Sequence, residues 1–118
     1  MKYLIVFALI LLTQCESDNQ VICTEQFVYG LNVIVKDAET AEIITDNISV
    51  VARDGNYEEE LMNIEGFDAF IGAGERPGDY IIEVSSTAYQ MFTSELIQVD
   101  ADECHVIPQV VDIELIPN

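Results

Sequence analysis

The sequence predicts an all-β fold, a single antiparallel β-sandwich of about seven strands preceded by an N-terminal signal segment. Short segments of alternating apolar and polar residues begin at Phe27 and continue to Ile116. Turn signals rich in Gly, Pro and Asp separate these segments, and no stretch has the apolar period of a long helix. Half of the residues are hydrophobic, which excludes a disordered acidic chain.

The first half of the domain is predicted to contain three strands and a tight hairpin. Residues 31–36 alternate between buried and exposed positions, and residues 48–52 form a second strand of the same kind. The Asp54-Gly55 pair that follows predicts the hairpin, because its turn needs a positive φ that glycine adopts freely. Residues 57–64 are predicted to return as a strand with an acidic outer face.

The second half is predicted to supply the remaining strands. Phe67, Ala69 and Ile71 alternate as apolar positions and predict a short strand. Arg76-Pro77-Gly78-Asp79 predicts a type II turn, with Pro and Gly at its two central positions. Further strands are predicted over residues 80–84, 93–99, 104–107 and 110–116.

The start of the chain carries an export signal. Lys2 precedes an apolar run from Tyr3 to Leu12, which is too short to span a membrane and suits the core of a secretory signal. Leu12-Thr13-Gln14-Cys15 then resembles the lipobox of bacterial lipoproteins. The resemblance implies that Cys15 is acylated, and two or more acyl chains anchor a protein stably.

The lipobox divides the chain into three parts. It implies a lipoprotein signal peptide over residues 1–14 and a lipidated cysteine with a short polar tether over residues 15–24. The β-sandwich domain is predicted over residues 25–118. There is no linker, low-complexity tract or internal repeat in the sequence after Cys15, so a single domain is expected.

Five segments occur in an order that resembles a known family. They are Gly30–Asp37, Ile48–Gly55, Gly78–Val84, Ala88-Tyr89 and Val111–Leu115. Together they resemble the carboxypeptidase regulatory-like domain, whose strands carry a G-x-V-x-D start and a G-x-Y-x-l-x-V element. The resemblance implies a transthyretin-like, or prealbumin-like, sandwich that serves as an accessory or binding module.

The three cysteines divide between a lipid and a crosslink. Cys23 precedes the first strand and Cys104 opens the last pair of strands. In the family topology the first and last strands lie close together, so the resemblance implies a Cys23–Cys104 disulfide that joins the two ends of the domain. An exported protein meets an oxidising compartment in which such a bond persists. The alternative is that Cys23 and Cys104 are free structural thiols.

Acidic residues dominate the charge. The chain has 22 Asp and Glu against four Lys and Arg; Lys2 leaves with the leader, so the mature protein carries a net charge of about −19. This balance argues against nucleic acid, whose phosphates require clustered cations, and against electrostatic adsorption to anionic lipid. The acids are dispersed along the strands, which favours a solvated surface over divalent-cation binding.

No group of acids has the spacing of a metal site. Asp100, Asp102 and Glu103 form the densest set of oxygen ligands and are weak calcium candidates, with Asp54 and Asn56 as a second option. Neither set has the spaced D-x-D-x-D-G pattern of a calcium loop. The sequence therefore predicts no metal site and no cofactor.

No catalytic residue is predicted either. Cys104 and His105 are adjacent, but consecutive residues of a strand point to opposite faces. No C-x-x-C or H-x-x-x-H spacing accompanies them, and the sequence has no G-x-S-x-G nucleophile motif.

These observations predict a non-enzymatic, membrane-anchored lipoprotein whose β-sandwich is a binding or scaffolding module. The expected location is the envelope of a Gram-negative bacterium, at the outer membrane, on its periplasmic or surface face. The expected partners are the membrane, through the lipid anchor, and an envelope protein or glycan. Two alternatives stay open: a calcium- or glycan-binding surface module, and a small metal-dependent hydrolase.

Overall fold

The structure is a computed structural model that describes residues 21–118, and this part of the chain contains nine β-strands and no helix. The strands are β1 Tyr29–Asp37, β2 Ser49–Asp54, β3 Tyr57–Glu60, β4 Met62–Asn63, β5 Phe70–Gly74, β6 Gly78–Ser85, β7 Phe92–Thr93, β8 Ile97–Val99 and β9 Gln109–Leu115. The predicted signal peptide and Cys15 lie outside the described residues. Within residues 21–118 no helix has the length and apolarity that a membrane span requires.

The strands form two sheets around a common core. The first sheet has the order β4-β5-β1-β9, and the second has the order β3-β2-β6-β7, with β8 also paired to β6. Alternate side chains of both sheets are buried; the largest are Leu31, Val33, Val35, Val50, Tyr80, Ile82, Val84, Val99, Ile113 and Leu115. The prediction of an all-β fold with two sheets is confirmed.

The pairing of β1 with β9 corrects the predicted antiparallel arrangement. These two strands run parallel, in register from Leu31 opposite Gln109 to Asp37 opposite Leu115. The other strand pairs of the described chain are antiparallel. Alternation along a strand is the same in both kinds of pair, so the residue pattern does not reveal the direction of a neighbour that is distant in sequence.

The predicted hairpin at Asp54-Gly55 is confirmed. β2 and β3 pair antiparallel with Asp54 opposite Tyr57, and Gly55 has a φ of 61°. The strand predicted over residues 57–64 is divided, because β3 belongs to the second sheet and β4 to the first. Leu61 lies between them and is 4% exposed, so the chain crosses from one sheet to the other with its side chain in the core.

The strand predicted from Phe67, Ala69 and Ile71 is present as β5, but it begins later, at Phe70, and buries the other set of alternate residues. Phe70 faces the core and is 4% exposed, whereas Phe67 is 64% exposed. The Phe67 N–H donates to the carbonyl of Ile64 in a turn that precedes β5. A shift of one residue moves every side chain of a strand to its other face. The turn therefore sets which side of β5 is buried.

The type II turn predicted at residues 76–79 is also wrong. Gly78 begins β6 and does not have a positive φ; the left-handed residues are Ala73 and Glu75, at φ 54° and 49°. The Arg76 N–H donates to the Ala73 carbonyl, which places the turn earlier in the chain. Gly78 meets a different requirement, because a Cβ there would collide with the Asp54 carboxylate.

Candidate functional site

Cys23 and Cys104 form a disulfide, as predicted. Their Cα atoms are 5.2 Å apart although 81 positions separate them in sequence. Cys23 precedes β1, and Cys104 lies in the loop between β8 and β9. The bond therefore fastens the segment that enters the domain to a loop near its end.

Glu75 lies beside this disulfide and joins the same two segments. One carboxylate oxygen accepts from the Val28 N–H at 2.9 Å and the other from the Val106 N–H at 3.2 Å. His105 Nδ1 lies 2.6 Å from the Glu75 carboxylate. Partial burial raises the pKa of Glu75. The hydrogen bonds from His105, Val28 and Val106 lower this pKa by a larger amount, so it lies below the ordinary value of 4.5.

His105 is held from both sides of its ring. The carboxylate of Glu75 can only accept, so Nδ1 donates to it. In a neutral ring Nε2 then accepts from the Thr24 hydroxyl, whose oxygen is 3.0 Å away. We call Thr24, Glu75 and His105 the clasp.

A carboxylate, an imidazole and a hydroxyl in sequence are also the order of a hydrolase triad. In the clasp Glu75 also accepts from two backbone N–H groups, one in the entering segment and one in the loop before β9. The arrangement thus fastens three segments of chain together. Sequence reasoning considered His105 but missed Thr24 and Glu75, because 30 positions or more separate these partners from His105.

The weak calcium candidates Asp100, Asp102 and Glu103 all lie in the loop that carries Cys104. Asp102 Oδ1 accepts from the N–H groups of Cys104 and His105 at 2.8 Å each, and these bonds lower the pKa of Asp102. Asp100 accepts from the Gln98 side chain at 3.0 Å, and Glu103 is exposed. In residues 21–118 no three His, Cys, Asp or Glu side chains are placed to hold a metal ion together.

The strand predicted over residues 104–107 is also replaced by this loop. Only Val106 pairs, through an isolated bridge to Ala101. The Asp102 N–H donates to the His105 carbonyl, and the Ile107 N–H donates to the Asp100 carbonyl. Because the backbone closes on itself in this way, Cys104 and His105 do not alternate as strand neighbours.

Asp54, the acidic residue of the second calcium candidate, forms an ion pair within the chain. Asp54 lies 3.1 Å from the Arg76 guanidinium, which stacks 3.6 Å from the centre of the Tyr57 ring. Arg76 also donates to the Tyr80 hydroxyl at 2.9 Å. The charge of Asp54 is therefore balanced by a cation of the same chain.

A polar pair lies near the opposite end of β1 from the disulfide. The Tyr89 hydroxyl donates to Asp37 Oδ2 at 2.7 Å, and Asp37 Oδ1 accepts from the N–H groups of Glu39 and Thr40. The bond from Tyr89 and then the backbone bonds lower the pKa of Asp37, and the same side-chain bond raises the pKa of Tyr89. These contacts order the turn after β1.

The outer faces of the two sheets differ in character. On the second sheet Arg53 pairs with Glu58 at 2.6 Å and with Glu83 at 2.9 Å, so opposite charges on this face are paired with each other. The outer face of the first sheet carries half-buried or exposed apolar side chains, which we call the apolar face: Ile34, Met62, Ile64, Phe67, Ile71 and Val110. The alternation of Phe67, Ala69 and Ile71 predicts a strand but not which of its sides faces solvent, so the sequence did not predict this surface.

No protein-family model matches the chain, and the search of curated proteins finds no similar protein. The resemblance to the carboxypeptidase regulatory-like domain therefore stays a prediction. The residues on which function can be argued are the disulfide with its clasp and the apolar face.

Proposed function

We propose that the protein is a membrane-anchored lipoprotein of the bacterial envelope whose β-sandwich acts as a non-enzymatic binding or scaffolding module. The observation that carries the proposal is the Cys23–Cys104 disulfide. Disulfides persist in exported proteins and are rare in reducing compartments. Once these two cysteines are paired, Cys15 is the one left over, and it stands at the lipobox position.

The position of the disulfide suits an anchored domain. Cys23 follows Cys15 by a short polar segment, so a lipid on Cys15 would hold the disulfide end of the sandwich near the bilayer. The net charge opposes adsorption to anionic lipid, and acyl chains supply the attachment instead. The turn after β1, with Asp37 and Tyr89, would then point away from the membrane.

The binding role is supported by the two sheets. Both inner faces are used by the core, and in the described residues the outer face of the second sheet carries the ion pairs of Arg53 with Glu58 and Glu83. The face of a sheet that is turned to water normally carries polar side chains. The apolar face of the first sheet departs from that rule, as surfaces that bind other molecules do.

The test is the intact mass of the protein extracted from membranes, with and without reductant and thiol alkylation. We expect the mass of residues 15–118 plus acyl groups, and two alkylatable thiols that appear only after reduction. Cys15→Ser is the matched control: it should lose the acyl mass and keep the disulfide. A native protein that carries no acyl mass, or that has two free thiols before reduction, would contradict the proposal.

A further inference from the structure

The apolar face extends across the four strands of the first sheet, with Asn32 in the middle of one row. In the strand register Met62 lies opposite Ile71, Ile71 opposite Asn32, and Asn32 opposite Val110. Ile34 follows on the same side of β1, two residues after Asn32. One row of the sheet therefore presents three apolar side chains and a single amide to the outside.

These apolar side chains are exposed to solvent, which is unfavourable for groups that cannot form hydrogen bonds with water. Met62 is 55% exposed, Phe67 64% and Val110 67%, whereas the inward side chains of β1 are fully buried. Ile64, Phe67 and Ile71 line a groove of about 240 Å³ together with Asn32 and Ala69. The groove has the apolar lining of a site that accepts apolar side chains.

An acidic depression adjoins this groove and shares Phe67 with it. Its volume is about 520 Å³, and three carboxylates contribute to its lining, those of Asp46, Glu65 and Asp68. On the opposite edge of the face Asp112 and Glu114 of β9 are exposed. The apolar groove is thus bordered by the three acids of the depression on one side and by Asp112 and Glu114 on the other, where Lys36 lies opposite Glu114.

The negative charge around the groove determines which kinds of molecule can bind there. A second copy of the chain would bring its own acidic border against this one, and like charges placed together oppose association. An anionic lipid surface is repelled for the same reason. A segment with apolar side chains next to Lys or Arg complements both parts of the surface.

We propose that the apolar face docks a partner protein segment in which apolar side chains enter the groove while flanking Lys or Arg side chains pair with Asp46, Glu65 and Asp68. This docking inference deepens the proposed function. It rests on that proposal because the membrane anchor places the meeting with the partner at the bacterial envelope. The partner's apolar side chains bury Phe67 and Ile71, and its cations offset the acidic border. The groove supplies affinity, and the acids supply orientation and a fast encounter.

The test uses the mature lipoprotein in phosphatidylcholine nanodiscs, with empty nanodiscs as the blank. The probe is a fluorescein-labelled amphipathic peptide of leucine and lysine, and binding is followed by fluorescence anisotropy. A serine–lysine peptide keeps the charge without the apolar side chains, and a leucine–glutamate peptide keeps the apolar side chains with reversed charge. We expect saturable binding of the leucine–lysine peptide, and at least about tenfold weaker binding of the other two.

Variants of the protein locate the binding. Phe67→Ser should weaken the leucine–lysine peptide about tenfold, because a large apolar side chain leaves the groove. Met91→Ser is the matched control, since Met91 is 65% exposed outside the apolar face, and it should have no effect. Removing the acids of the depression with Asp46→Asn, Glu65→Gln and Asp68→Asn should weaken binding and reduce its salt dependence, whereas Glu58→Gln with Glu60→Gln should not.

Three results would overturn the docking proposal. The serine–lysine peptide could bind as tightly as the leucine–lysine peptide, which would mean that charge alone is responsible. Phe67→Ser and Met91→Ser could have the same effect. Light scattering of the mature protein could show a dimer that Phe67→Ser dissociates, which would make a second copy the occupant. If the native protein extracted from membranes carries no acyl mass and still binds the peptide at Phe67, the lipoprotein proposal fails and the docking proposal stands.

Discussion

Glu75 and His105 show how much one pair of polar side chains can organise. The Glu75 carboxylate receives two backbone N–H groups and the His105 ring, and the ring in turn reaches Thr24. Buried or half-buried backbone donors need such partners, and neither sheet supplies one at this place. The clasp therefore completes the hydrogen bonding of the entering segment and of the loop before β9.

Glu75→Gln should reduce the dependence of stability on pH. The native pKa of Glu75 lies below its ordinary value of 4.5, so near that pH the unfolded state binds more protons and stability rises with pH. The contribution of the carboxylate is present above about pH 4.5 and is lost as the pH falls through the native pKa. We expect the variant to be less stable at neutral pH and to approach the wild type in acid.

The measurement is urea unfolding at a series of pH values from neutral to about 3. Glu103→Gln is the control, because Glu103 is an exposed acid in the loop that carries His105 and takes no part in the clasp, and it should leave the pH profile unchanged. A constant difference between Glu75→Gln and the wild type at every pH would show that the charge of Glu75 does not matter.

β1 is the element on which the first sheet depends. It pairs with β5 on one side and with β9 on the other, and its inward side chains are completely buried. Gly30 allows the start of this strand to approach its neighbours. A Cβ at Gly30 would lie 2.7 Å from Val99 Cγ1 and 3.1 Å from the Ala73 carbonyl oxygen.

Gly30→Ala should destabilise the fold by about 1–3 kcal/mol, as overpacking of a closed core does. Because the nearest atom belongs to the Val99 side chain, Val99→Ala should relieve part of the strain. We expect the double variant to be more stable than the sum of the two single effects, by about 0.5 kcal/mol or more. Chemical denaturation of the four proteins measures this coupling, and strictly additive effects would locate the strain at the Ala73 carbonyl instead.

The Cys23–Cys104 disulfide acts on the domain as a unit. It closes a loop that contains the eight strands β1 to β8, and β9 follows Cys104 outside the loop. Crosslinking a loop of this length limits the unfolded chain far more than it limits the native one. The bond also brings the entering segment beside the loop in which Asp102 and His105 lie.

Loss of the disulfide should cost about 2–4 kcal/mol of stability. Cys23→Ser and Cys104→Ser should have similar effects, and reduction should bring the wild type to the same level. Urea unfolding with and without reductant measures the difference. The variant with both substitutions is the control, because reductant should not change it. A loss below about 1 kcal/mol would mean that the native contacts, including the clasp, already hold these segments together.

The candidate site was less predictable than the fold. The pairing of Cys23 with Cys104 followed from the number and position of the cysteines together with the family resemblance, and the structure has it. Glu75 gave no signal, since an isolated acid among 22 is not distinctive. The apolar face was not predicted from the sequence, because an apolar residue such as Phe67 or Ile71 gives the same pattern whether its side chain is buried or exposed.

Strand identity is a local property, and here local alternation was enough to predict it. Side chains alternate with a period of two, so residues 31–36, 48–52 and 80–84 show their buried faces without reference to the rest of the chain. The Asp54-Gly55 hairpin is local as well, because its turn requires a positive φ at a single glycine.

The parallel pairing of β9, the face of β5 that is buried, and the meeting of Glu75 with His105 depend on contacts between distant segments. The alternation within a strand shows which of its side chains are buried. It does not show which other strand lies beside it. The choice is made by packing the two sheets around one core, where a shift of one residue would expose apolar side chains.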